Sequence, residues 1–252
     1  MNRKGGKLGV GLLVFVLTLS LSPLALTCPN CIKAPDDATE FQIKSTRVVE
    51  LEDLDAYVFE VKVAGEAGRI TPEAAGQLDG APVLGYVFPT NLNPSSVGFG
   101  SVEGILALAV TSHPDFDDTP LWDENADGDW KNDGRIWHPH WVVLNKDERI
   151  DSLAVRQFDP GDASVTLPPT NPGMPMYMDS PGFSVTTKGS LLRVLVPRSR
   201  IRAAGDFRFD AVTAYMQVNT SDKSRPMLGV YKVYSVASGD LSLPFEVKAG
   251  KL

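Results

Sequence analysis

From Phe41 onward, apolar and polar positions alternate with a period of two along most of this chain, and stretches with helical periodicity are nearly absent. The clearest case is Tyr57-Val-Phe-Glu-Val-Lys-Val63. Tyr57, Phe59, Val61 and Val63 fall on one face and Glu60 and Lys62 on the other, as in a half-buried strand. The same reasoning predicts strands over 82–88, 103–111, 190–196, 209–218, 227–236 and 242–247, and a hairpin pairing 141–144 with 152–158 around Asn145 to Arg149. Residues 159–189 are rich in Pro, Gly, Ser and Thr and read as loop with short strands.

One short helix is predicted near residues 72–79. Thr71 can cap it, Pro72 suits its first position, Glu73 favours its positive end, and Gly76 and Gly80 keep it short. About ten strands with turn signals between them predict an all-β fold, an antiparallel β-sandwich with a closed barrel as the alternative. No repeat or linker divides residues 41–252, which are expected to form a single β-rich domain.

The N-terminal region breaks the pattern. A basic stretch, Asn2 to Lys7, precedes an apolar run from Leu8 to Leu21, so residues 1–27 read as a secretion signal and the chain as extracytoplasmic, periplasmic or secreted. The apolar run is short and punctuated by Ser and Pro, which argues against a membrane span. Cys28 and Cys31 are the only cysteines and form a Cys-x-x-Cys pair. Ile32 follows where covalent haem attachment needs His, so a local disulfide is the simpler reading, with lipid anchoring through Cys28 as an alternative. Residues 28–40 form a polar lead-in. The net charge of −7 disfavours nucleic acid as a partner and favours cations.

Candidate chemistry is concentrated in one stretch, His113 to Trp141, which holds all 3 histidines of the chain and a dense set of carboxylates. In an extended segment, residues two apart point to the same side, so His138 and His140 present both imidazoles to one point. His113 follows a predicted strand that a sheet can bring alongside. Three imidazoles suit copper, zinc, nickel or iron, and Asp115 is the expected fourth ligand or ring-orienting partner. His138-x-His140-Trp141 is similar to the paired zinc ligands of the α-type carbonic anhydrases. Those enzymes need a third histidine on a following strand, and none follows His140, so that family is rejected.

Two weaker cation sites are expected beside it. Asp123-x-Asn125-x-Asp127-Gly128-Asp129 resembles the first half of an EF-hand calcium loop, but Gly134 stands where the closing glutamate belongs and Asp133 comes one residue early. A calcium-stabilised loop using Asp123, Asn125, Asp127, Asp133 and the Asp129 carbonyl is the alternative to a plain solvated turn. Met174, Met176 and Met178 share a face if extended and offer soft sulfurs to copper, or simply fill a gap in the core.

No nucleophile elbow, phosphate loop or dinucleotide fingerprint occurs. The arginines Arg193, Arg198, Arg200 and Arg202 read as the exposed side of a strand and its turn, paired with acids. The functional expectation is a metal-binding protein holding copper or zinc through His113, His138 and His140, with calcium possible nearby. The alternatives are a metal-dependent enzyme on the same site, with Asp115, Asp117 or Asp118 as base, and a calcium-stabilised binding or adhesion module.

Overall fold

The computed structural model describes residues 1, 35–118, 123, 126–129, 133–202 and 207–252. The signal-like segment, Cys28, Cys31 and Asn125 lie outside the described residues, as does the side chain of Asp133. Ala34–Leu252 cluster as one unit.

In chain order the strands are β1 (Ile43–Leu51), β2 (Ala56–Val63), β3 (Pro82–Pro89), β4 (Ile105–Ser112), β5 (His138–Asp147), β6 (Ser152–Val155), β7 (Met178–Asp179), β8 (Ser184–Lys188), β9 (Leu191–Pro197), β10 (Arg208–Phe209), β11 (Val212–Val218), β12 (Leu228–Val236), β13 (Phe245–Glu246) and β14 (Lys248–Ala249). The protein is mostly β, as its alternation predicts. The predicted hairpin forms nearer its turn than expected, pairing from Leu144↔Val155 to Asp147↔Ser152, while Trp141 and Val142 pair with β7.

The sandwich expectation is corrected. One sheet runs β4-β3-β11-β12-β6-β5, and β4 also pairs with β5 from Ile105↔Leu144 to Thr111↔His138, so the sheet closes into a six-stranded barrel with β7 at its margin. Alternation is the same inside a sandwich and inside a barrel. What decides between them is a pairing across the long 113–137 connection, which no local pattern encodes. The interior suits a narrow barrel. Small residues Ala107, Ala109 and Ala214 interleave with Val87, Val142, Leu144 and Met216 in one buried cluster.

The second sheet, β14-β1-β2-β9-β8, packs on the outside of the barrel. Phe59 of β2 meets the rings of Phe88 on β3 and Trp141 on β5, both edge-on. Trp141 therefore faces away from the lumen, and its neighbours His140 and Val142 face into it. The far face of this sheet is more buried than the alternation predicts, with Val58 and Glu60 covered and only Lys62 of β2 exposed; Glu60 binds Arg47 and Arg193, and Glu50 binds Arg198. Glu60 is itself buried, and its two arginines supply the partners that burial of a carboxylate requires.

The predicted helix near 72–79 does not form, and the described residues contain only short 3₁₀ turns and no α-helix. The stretch is exposed and has no apolar face to bury. Gly76 turns at φ +80, and the Asp115 carboxylate accepts the Ala75 and Gly76 N–H groups at 2.8 and 2.7 Å, donors that a helix capped by Thr71 would have bonded to Thr71 and Pro72.

Candidate metal centre

The barrel register assembles the site. Inward positions on β4 run Ala107, Ala109, Thr111, and the next same-face residue beyond the strand end is His113. On β5 the inward positions begin His138, His140, then Val142. Thr111 sits opposite His138 and Ala109 opposite His140. All three imidazoles therefore point into one end of the lumen. The chain is pinned there as it leaves β4 and returns to β5, because His113 N–H donates to Gly134 O at 2.5 Å and the Ser112 hydroxyl to Arg135 O at 2.8 Å.

A carboxylate completes the group. Among the described residues, His113, Asp118, His138 and His140 form a cluster whose possible ligand atoms all lie within 4.8 Å of one another. Asp118 Oδ1 is 3.0 Å from His113 Nε2 and 3.1 Å from His138 Nε2, and those two nitrogens are 3.0 Å apart. His140 Nε2 lies 3.5 Å from Asp118 Oδ2. A tetrahedral site with ligands about 2.0–2.1 Å from the metal has edges of about 3.3 Å, so the His113, His138 and Asp118 atoms stand slightly closer together than such a site needs. The four residues are buried, with exposures of 1%, 6%, 2% and 1% in sequence order.

Hydrogen bonds satisfy the cluster only in part: His113 Nδ1 and His140 Nε2 are buried with no hydrogen-bond partner among the described residues. His138 Nδ1 is 2.6 Å from the Ile136 carbonyl, which can only accept, so Nδ1 carries the proton. In the neutral ring, His138 Nε2 then turns a lone pair toward His113 Nε2 at 3.0 Å and Asp118 Oδ1 at 3.1 Å. His140 Nδ1 meets the Ser180 hydroxyl at 3.0 Å, whereas its Nε2 is buried with no hydrogen-bond partner among the described residues. Burial pushes the His140 imidazole down to about 3, against the upward pull of the Asp118 charge. Burial also opposes ionisation of Asp118, but the neighbouring imidazoles, His140 and His113 first among them, prevail and hold its carboxyl well below the ordinary range. Converging lone pairs around one carboxylate are the donor set of a metal ion.

Two neighbours fix the His113 ring. Phe116 stacks on it at 4.0 Å between centroids, with 2° between planes. The backbone of Gly134 backs it so closely that a Cβ there would sit 2.5 Å from His113 Nδ1 and 2.5 Å from Phe116 O. Gly134→Ala is therefore expected to displace His113 while leaving the barrel closed, weakening metal affinity roughly 10–100-fold, the usual range for residues that orient a ligand. Competition against a chromophoric chelator measures this, with the far-ultraviolet spectrum as the control for folding.

The other sequence candidates lie elsewhere. Asp115 adopts φ +74 and spends its carboxylate on Ala75 and Gly76, so Asp118 occupies the position expected for it. Sequence reasoning weighed Asp118 only as a base. The one signal for it is its spacing two residues after Phe116, which puts the carboxylate on the same inward side as that ring. In the acidic loop, Asp123 accepts the Asp127 and Gly128 N–H groups at 3.1 and 2.8 Å, and Asp127 accepts that of Asp129 at 2.7 Å, as solvated acidic turns do. Met176 and Met178 are buried in the barrel core with Met174 packed against it, and all three line a small cavity together with His113, Asp118 and His140.

Among the described residues, no helix is long and apolar enough to cross a membrane. No protein-family profile, curated protein or solved structure matches the chain, so its function has to be argued from this centre alone.

Proposed function

We propose that this chain is an extracytoplasmic metal-binding protein that holds one transition-metal ion through the Nε2 atoms of His113, His138 and His140 and the carboxylate of Asp118. The observation that carries the reading is the convergence of three buried imidazole nitrogens on one buried carboxylate, with His138 Nε2 turned to Asp118 as an acceptor. The secretion-like N-terminus supports the location. Four buried protein donors would fill a tetrahedral shell, which favours a structural or storage role over hydrolysis.

Zinc is the favoured ion. Three borderline nitrogen donors and one hard carboxylate suit a divalent metal without geometric demands of its own. Copper is the second reading, favoured by the three methionines that line the adjoining cavity.

The test is elemental analysis of protein purified without an affinity tag, before and after loading. One equivalent of zinc or copper per chain is expected in the wild type, and none in a His138→Ala/His140→Ala variant. A wild type that holds no stoichiometric transition metal after loading, or a variant that holds as much, would overturn the reading.

A further inference from the structure

We propose that the barrel lumen is a binding cavity for a small, uncharged apolar molecule, the size of a diatomic gas or a single noble-gas atom. The lumen below the metal centre holds a cavity of about 60 Å³, open at one side, with Val87, Ala109, Val142, Leu144, Val155 and Ala214 in its wall. Its lining surface is apolar throughout. Thr111 and His140, the polar residues at its upper end, face the centre: the Thr111 hydroxyl lies 3.4 Å from His138 Nε2, and His140 belongs to the metal cluster.

Chemistry and size define the occupant. Without a donor or acceptor directed into the space, a charged or hydrogen-bonding ligand would lose its hydration for nothing, and water itself would lack the two to four partners it needs. Benzene occupies a cavity of roughly 150 Å³, so this lumen admits only something much smaller. Native interiors contain few voids larger than a water, so an apolar one beside a polar cluster has the form of a small-molecule site.

Entry is available. Val233, 47% exposed, and the half-buried Leu153, Val230 and Leu241 belong to the same lining, so the cavity reaches the surface. It does so beside the weakest seam of the barrel, where β6 and β12 are joined by the single pair Gly229↔Ala154. The inference stands on the lumen and is independent of whether metal is bound, although an occupant would lie against the His140 ring.

Xenon is the probe. The full chain, labelled at Val and Leu methyls, is titrated with xenon under pressure and followed by NMR, in metal-loaded and metal-stripped form. Saturable shifts are expected at Val87, Val142, Leu144 and Val155 in both forms. Ala109→Leu, which fills the lumen, should abolish them, and Ala214→Leu serves if that variant does not fold. Absence of saturable shifts at these methyls in both forms, or shifts that persist in the folded filled variant, would overturn the proposal. Metal content of the same samples reports separately on the metal centre.

Discussion

Zinc added to metal-stripped protein is expected to raise its Tm by about 8–16 °C. An ion present at a thousand times its Kd, binding only the folded state, stabilises by about 4 kcal/mol, and a domain of this size gains roughly 2–4 °C per kcal/mol. The effect should be large because the ligands come from distant parts of the chain. His113 follows β4, Asp118 lies in the loop after it, and His138 and His140 open β5, so an unfolded chain presents no comparable site. The ion would also fasten the β4–β5 seam that closes the barrel. Differential scanning calorimetry with and without chelator measures the shift, and the His138→Ala/His140→Ala variant should show none.

The second large effect has the opposite sign. Replacing His113, Asp118, His138 and His140 together by leucine is expected to stabilise the metal-free protein by about 1–4 kcal/mol, the range seen when buried ionic clusters are exchanged for packed apolar residues. The reason lies in the site itself. Without an ion, a buried carboxylate faces His138 Nε2 at 3.1 Å and His140 Nε2 has no hydrogen-bond partner among the described residues. The surroundings are ready for apolar side chains, because the Phe116 ring and the methionine-lined cavity already adjoin the cluster. Chemical denaturation of the metal-free proteins tests this. A quadruple variant less stable than the metal-free wild type, although folded, would mean that the polar cluster is self-sufficient.

How much of this was legible follows from which interactions are local. The alternation at Tyr57 to Val63 places Tyr57, Phe59, Val61 and Val63 in β2 with low exposure, because a strand's two faces are set residue by residue. His138 and His140 were legible as a same-side pair for the same reason. Closure of the barrel was not, since it depends on Thr111 meeting His138 across a long connection. Asp118 was not singled out as a ligand because three nearby acids, Asp115, Asp117 and Asp118, look alike in a turn-rich stretch. What separates Asp115 from Asp118 is a tertiary accident of the 71–80 segment: its open N–H groups at Ala75 and Gly76 take up Asp115 and leave Asp118 for the interior. The same contact stands where the predicted helix would have been.

The central claim is that three imidazoles and one carboxylate surround a single ion, and X-ray absorption at the edge of the bound metal tests it most directly. The account predicts a first shell of three nitrogens and one oxygen at about 2.0–2.2 Å, with the outer scattering of imidazole rings, and its disappearance in the quadruple leucine variant. A shell of sulfur from Met174, Met176 and Met178, or of oxygen alone without imidazole scattering, would contradict it.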